Sequence, residues 1–181
     1  MDTFSVTSYE VVNKENAKSV ENNISGNAEG IGTKPVAFFL RLMVYKNGYD
    51  QMQIQRIAPG FVLQPWYDES RMSEDYWYLV DGEFESNGYM HNDLDMCKYA
   101  VGLAGDGKKI SSPSSFFIVL EDGHQARLNN KFCCIGYVIS GFEEIQRIVS
   151  VPLQKVPSPE GVVVMEPVEP EFIKHVSVEL N

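Results

Sequence analysis

Hydrophobic positions along this chain recur mostly in short runs bounded by glycine and proline, and at helical spacing only twice. Over 34–46, Val36, Phe39, Leu40, Met43 and Val44 fall three and four residues apart, which predicts one face of a helix. Thr33 is placed to cap its start, Pro35 suits its first turn, and Asn47 with Gly48 supplies a left-handed stop. A second helix is predicted over 141–150. Ser140 and Glu143 form a capping box there, Phe142, Ile145 and Val149 the stripe, and Pro152 lies beyond the end. Apolar or β-branched runs predict strands at 52–57, 61–64, 99–104, 116–120, 132–138 and 173–180. The last alternates Val176, Val178 and Leu180 with Ser177 and Glu179, a half-buried pattern. Residues 4–12 suit a further strand, whereas 13–31 are polar and read as a loop or a weak second strand. Pro59-Gly60 and the run Pro157 to Gly161 punctuate the gaps. Many short strands and two helices predict an antiparallel barrel or sandwich whose ends the helices cover. Without alternating βα units, a dinucleotide fold is not expected.

At 181 residues the chain has the length of one domain with a real core. Its hydrophobic content of 44% and charged content of 22% are those of a globular protein. The 15 Lys and Arg against 25 Asp and Glu give a formal charge of −10 and a pI near 4.7. Nucleic acid and anionic membranes repel such a surface, so neither is an expected partner. Three cysteines are too few for a disulfide framework, and adjacent Cys133 and Cys134 would point to opposite faces of a strand. No basic start followed by an apolar run marks a signal peptide, and no stretch approaches the ~18–20 apolar residues of a membrane span. The expectation is a cytoplasmic protein.

Candidate chemistry is sparse. Residues 102–109, Gly-Leu-Ala-Gly-Asp-Gly-Lys-Lys, resemble a phosphate-binding loop with one fault: Lys109 stands where magnesium requires Ser or Thr. The Ser-Ser-Pro-Ser that follows breaks a helix, so a surface loop is expected. His91, His124 and His175 lie far apart with no cysteine at ligand spacing, and no metal site is predicted. No Gly-x-Ser-x-Gly elbow occurs, Glu143 and Glu144 read as a helix-start charge pair, and Asp93 and Asp95 as solvated loop acids. Arg56 differs. Within Gln-Met-Gln-Ile-Gln-Arg-Ile, residues 51–57, it falls in phase with Met52 and Ile54, which puts a cation on an apolar face. Such a charge requires an ion partner, an exposed edge or a functional reason.

Residues 54–64, Ile-Gln-Arg-Ile-Ala-Pro-Gly-Phe-Val-Leu-Gln, resemble the Phe-His-Arg-Val-Ile-Pro-Gly-Phe-Met-Ile-Gln signature of the cyclophilins, which are peptidyl-prolyl cis-trans isomerases. Further segments follow in the same order. Residues 34–42 are similar to the family's first helix. Residues 82–88, Gly-Glu-Phe-Glu-Ser-Asn-Gly, are similar to a segment common in bacterial members, and 111–118 to the Ser-Gln-Phe-Phe-Ile strand. Residues 128–138, with Gly141, resemble the strand that leads to the second helix. The resemblance covers 33–152 well, extends to the last strand and is poor over 1–32. It implies a mainly β fold: a closed eight-stranded antiparallel barrel with two capping α-helices over 33–181, in one domain with an N-terminal strand and loop over 1–32.

The resemblance also implies roles. The family's catalytic arginine falls on Arg56, its pocket glutamine on Gln64, and its apolar proline pocket on Phe61, Phe117 and Leu128. Val62 replaces a pocket methionine, Ala104 keeps a small backbone-contact position, and Gly105 stands where asparagine is usual. Ser115 replaces a glutamine, and Phe132 stands where the best-known members have histidine and bacterial relatives tyrosine. Arg127 takes the place of the tryptophan that contacts cyclosporin, which implies weak cyclosporin binding at best. Relatives are glycine-rich between Gln64 and Gly82, but residues 65–81 hold no glycine here. Asp68, Glu69, Glu74, Asp75 and Asp81 in that loop, against Arg71 alone, give the expectation that proline-containing segments with basic flanking residues are preferred. The implied chemistry needs no cofactor. The pocket holds the prolyl ring, and Arg56 donates to the twisted amide, whose nitrogen becomes a better acceptor once resonance is lost. Gln64 holds the substrate carbonyl or orients the guanidinium. Two readings stand. Arg56 supports an isomerase of Xaa-Pro bonds that assists protein folding. The rewritten loop, Ser115, Gly105 and Phe132 support a module of weak or no turnover that binds a partner's proline-containing segment.

Overall fold

The structure is a computed structural model. It describes residues 5–7, 49–65, 79–89, 92, 94–158 and 161–176, with 5–7, 113 and 114 in backbone only. The helix predicted over 34–46, residues 66–78 and the end of the final predicted strand, 177–181, lie outside the described residues.

In chain order the strands are β1 Ser5–Thr7, β2 Met52–Ala58, β3 Val62–Pro65, β4 Val80–Asp81, β5 Ala100–Gly105 and β6 Ile110–Val119. They continue with β7 Cys134–Ser140, β8 Leu153–Pro157, β9 Val163–Pro167 and β10 Phe172–Ile173. One antiparallel sheet of eight strands runs β1-β7-β5-β6-β3-β2-β10, with β4 beside β6. The mainly β architecture is therefore present. The pairings among the described residues form an open path, and no pairing among them joins its two ends.

Both faces of this sheet are apolar at its centre, which is why β5 and the second half of β6 read in sequence as hydrophobic runs. One face carries Met52, Ile54, Ile57, Leu63, Val101, Leu103, Phe116 and Ile118 in the larger core. The other carries Val62, Ala100, Phe117 and Val119 in a second cluster with Met96 and Leu128. Cys133 enters the first cluster and Cys134 the second, as their adjacency predicts. Burial raises both thiol pKa values, that of Cys134 to about 12.

Helix α1, Gln125–Leu128, is a single turn that buries Leu128. Helix α2, Phe142–Val149, buries Ile145 and Ile148 against the larger core. The capping box expected of Ser140 and Glu143 is not made. Ser140 is still in β7, paired with Ser5, and the cap is Gly141 at φ 75°, a left-handed turn that needs no side chain. Arg147 of α2 instead clamps two carboxylates, Glu144 at 2.9 Å and Glu171 at 2.7 and 2.8 Å, and so ties the helix to the segment entering β10.

The β8–β9 hairpin has no counterpart in the predicted strands. Pro157 and Pro167 close its two strands and Gly161, at φ 77°, lies in its turn, so turn residues mask the strand pattern. Strand β6 is also longer than predicted, because Ile110 through Ser115 are too polar to read as strand.

Candidate functional site

Two irregularities in the sheet assemble the polar half of the site. Ile54 faces Pro65 and Arg56 faces Gln64, so two steps along β2 match one along β3 and Gln55 is the bulged residue. This corrects the expectation that Arg56 shares a face with Met52 and Ile54. The extra residue hands that face to Ile57, which is fully buried, and turns Arg56 over. Directly paired residues share a face, as do residues two apart. Arg56 therefore stands with Gln64 and Val62, and Ala58, the partner of Val62, packs on the second apolar cluster. The second irregularity lies in β6. Leu103 pairs with Phe116 but Ala104 with Ser112, which leaves 113–115 outside the β5 ladder. Ser115 is freed to meet β3.

A hydrogen-bonded chain results. Arg56 Nη1 donates to Gln64 Oε1 at 2.9 Å, and Gln64 Nε2 donates to Ser115 Oγ at a long 3.4 Å. Gln64 is 8% exposed, so its amide is fixed by these partners more than by water.

Beside the chain lies the apolar half. Val62, Phe117 and Leu128 are buried at its floor, while Phe61 and Phe132 are half-buried and pack on them. The Phe132 ring meets Phe117 edge-on, 5.6 Å between centroids at 88°. Arg127 lies with its guanidinium carbon 4.4 Å from the Phe61 ring centre, so a cation covers the face of this wall. His124 meets the same ring at 4.8 Å and 63° and holds the Gly60 carbonyl at 2.7 Å, which requires a proton on Nε2.

Two of these supports were not foreseen. His124 was considered only as a metal ligand, yet it braces the Pro59-Gly60 turn against Phe61. Gly102 pairs across the sheet with Phe117, and a methyl there would lie 2.5 Å from Phe117 Cζ. The small–large cross-strand pair is the signal that marks it.

Ala104 and Gly105 end β5, opposite Ser112 and Ser111. A Cβ on Gly105 would run into the Ile110 carbonyl oxygen, so the asparagine usual in relatives does not fit this backbone. After Gly105 the chain turns about Asp106, whose Oδ1 accepts the N–H groups of Lys108, Lys109 and Ile110 at 2.9, 2.8 and 2.9 Å. These bonds lower its pKa to about 2. The backbone donors that a phosphate loop aims at its ligand are here taken by the chain's own carboxylate. The surface-loop reading of 106–109 therefore has a physical cause.

Of the acids expected beside the pocket, Asp68, Glu69, Glu74 and Asp75 lie outside the described residues, as do His91 and Asp93. Asp81 is exposed, 3.9 Å from Lys109. His175 holds Asp50 at 2.7 Å, and Asp95 accepts a bond from Asn129 at 2.6 Å.

The model of the cyclophilin type peptidyl-prolyl cis-trans isomerase/CLD family matches residues 33–170. No curated protein matches the sequence. Among solved structures the fold is similar to a Cryptosporidium parvum cyclophilin type peptidyl-prolyl cis-trans isomerase, in one case in the presence of the dipeptide Ala-Pro. The TM-score is 0.58 and the identity 21%, over 79% of this chain and 83% of that one. A second structure of the same isomerase gives the same TM-score and identity over 79% of this chain and 82% of that one.

Proposed function

This chain belongs to the cyclophilin type peptidyl-prolyl cis-trans isomerase family, and on that premise we propose that Arg56, Gln64 and the pocket of Phe61, Val62, Phe117, Leu128 and Phe132 turn over Xaa-Pro bonds. The observation that carries this is the Arg56–Gln64 bond at 2.9 Å, on the sheet face that also carries the buried floor of the pocket. Amide C–N rotation in peptides crosses a barrier of ~18–20 kcal/mol set by partial double-bond character. As the prolyl amide twists, resonance is lost and the nitrogen lone pair becomes an acceptor. A guanidinium has five donors, so Arg56 can hold Gln64 and the twisted amide together. A donor that binds the twisted state better than either planar state lowers the barrier from both sides. The apolar walls hold the prolyl ring, and Ser115, through Gln64, keeps the guanidinium from swinging away.

The finer parts of the proposal are closure of the sheet into a barrel, proline segments with basic flanks as clients, weak cyclosporin binding at best, and a role in cytoplasmic protein folding. Eight strands in one antiparallel sheet support the first. The formal charge of −10 supports the second, and Arg127 over Phe61 in place of an indole supports the third. The free thiols of Cys97, Cys133 and Cys134 support a reducing compartment.

Exchange NMR on Xaa-Pro peptides tests the reading. The parent accelerates exchange, and Arg56→Ala loses about 10²–10³-fold, the typical cost of one transition-state donor. A parent that binds the peptides but leaves their exchange at the uncatalysed rate would establish the binding-module reading instead. Undiminished turnover in Arg56→Ala would overturn the assignment of the arginine.

A further inference from the structure

Phe132 packs on Phe117 and the cluster that floors the proposed proline pocket. It also lines a cleft of about 410 Å³, between the 83–95 segment and residues 129–134. None of Ala104, Gly105 or Ser115 is among the described residues that line it.

The cleft is built. Asn92 Nδ2 donates to the carbonyls of Glu83 and Cys134, at 3.0 and 3.1 Å, and so holds one wall to the other. Met96 N–H donates to Asn129 Oδ1 at 2.9 Å, and Ser86 Oγ donates to the Asn130 carbonyl at 2.6 Å. The Asn92–Cys134 and Ser86–Asn130 bonds join the two segments directly, the Met96–Asn129 bond joins them just past Asp95, and together they fix the width of the opening before any ligand arrives. Its size falls within the ~300–1,000 Å³ of small-ligand sites. Apolar bodies (Phe84, Leu94, Phe132) stand beside the carboxylates of Glu83, Glu85 and Asp95, and none of the described lining residues is basic. Glu83 is 7% exposed, so one of these charges sits deep while Glu85 and Asp95 stand exposed. Among the described residues, no three His, Cys, Asp or Glu side chains are grouped to hold a metal ion. A long aliphatic stem ending in a cation fits such a lining.

We infer that this cleft is a subsite for an arginine or lysine side chain of the client, read beside the proline across the ring of Phe132. The inference rests on the isomerase reading above and names the place where its basic clients are recognised. Phe132 is common to the cleft and to the cluster beneath the proposed proline pocket, so the cation would be reached within about two extended residues at ~3.3–3.6 Å each.

The test uses the full chain and paired peptides that carry arginine, or its neutral isostere citrulline, one to three residues on either side of the proline. Affinity is followed by titration and exchange by NMR. At one or two of these positions the arginine peptide binds about three- to tenfold tighter at low salt. The preference shrinks as salt rises and falls toward one in Glu83→Gln and in Glu85→Gln. Amide shifts at Glu85 and Asn130 follow the arginine peptide and not its isostere. Glu85 is exposed, so its variant keeps the test valid if Glu83→Gln fails to fold. Equal affinity for both peptides at every position, with exchange still accelerated, overturns this inference and leaves the isomerase reading standing. A preference that survives in the folded variants overturns it as well. If neither peptide is bound or turned over, the isomerase reading falls and the subsite falls with it.

Discussion

Substituting Gly102 with alanine tests whether the pocket floor sits where the chemistry needs it. The methyl group would lie 2.5 Å from Phe117 Cζ, 2.9 Å from Phe117 Cε2 and 2.8 Å from Met96 Cε. Carbon atoms settle at ~3.5–4.0 Å, so the Phe117 ring must retreat by about 1 Å. Met96 ends in a flexible thioether and gives way at low cost. The ring does not: it is 5% exposed and edge-on to Phe132. Overpacking of this kind costs about 1–3 kcal/mol, which for a chain of this size lowers Tm by about 2–4 °C per kcal/mol. If the proposed pocket holds the prolyl ring, the displaced Phe117 enters its space, and a 1 Å misplacement costs up to about 10²-fold in rate. Urea titration reports the first effect, and exchange NMR on an Ala-Pro peptide reports kcat/KM. Both fall together in Gly102→Ala. In a Phe117→Leu background the same substitution costs less, with a coupling of about 0.5–3 kcal/mol. A Gly102→Ala protein with the parent's urea midpoint and the parent's kcat/KM would refute the reasoning. So would an equal cost in the two backgrounds.

Two further perturbations read the charged supports. The Asp106 carboxyl titrates at about 2 against an ordinary 3.8, so its contribution is complete above the ordinary value and is lost as pH falls from about 4 through about 2. Asp106→Ala therefore loses stability at pH 6 and shows a flatter decline between pH 4 and 2, checked by urea midpoints at stepped pH; parallel acid limbs would count against it. Arg147→Ala leaves the buried Glu144 without its partner and frees Glu171, whose pKa the guanidinium holds below the usual carboxylate range. The expected loss is about 1–3 kcal/mol at neutral pH, reduced because Arg147 is itself partly exposed. The Glu171 share of that loss disappears as pH falls through the lowered Glu171 value, since the parent forfeits the same contribution there. Thiol titration gives the last check: in the native protein Cys133 and Cys134 stay unreactive at pH 8 and react on unfolding, because burial disfavours the thiolate of each. Prompt labelling of either thiol in the native protein would show that its burial is wrong.

The sequence was readable where one local rule decides the outcome. Apolar runs mark β2, β3, β5, β6 and β7 to within a few residues, save for the polar first half of β6, because a strand buried on both faces has no alternative role for such a run. Helix α2 shows its stripe at Ile145, but its start is decided by Gly141, a backbone turn that the Ser140–Glu143 spacing imitates. The β8–β9 hairpin was not readable because its strands end in proline and carry polar residues at Gln154, Lys155 and Glu166. For the site, the residue types at Arg56, Phe61, Gln64 and Phe117 were visible through the family signature. Their mutual placement was not, since it depends on register. The role of Gly102 required knowing that Phe117 lies across from it, and the role of His124 that α1 returns beside Gly60.

Register is also the reason that the polar and apolar halves of the site can coexist. A regular strand offers only two faces in strict alternation, and in this sheet both are apolar. A guanidinium placed in phase with Met52 and Ile54 would enter the larger core, where an uncompensated cation is strongly disfavoured. Adding Gln55 without a partner residue breaks the alternation once, which moves Arg56 to the pocket side and lets Ile57 continue the core. The excursion at 113–115 breaks it again, three residues ahead of Ile118, and brings a hydroxyl to Gln64 while Phe116 and Phe117 resume alternation on opposite faces. Neither bulge alone suffices. The first without the second leaves the buried Gln64 amide without the Ser115 hydroxyl, and the second without the first leaves Gln64 without the Arg56 guanidinium. The geometry proposed for the reaction therefore resides in two departures from sheet regularity more than in any one residue type. That is why Ser115 can replace the usual glutamine and still take part in the chain: the requirement at that position is a polar atom delivered to Gln64, and the bulge delivers it.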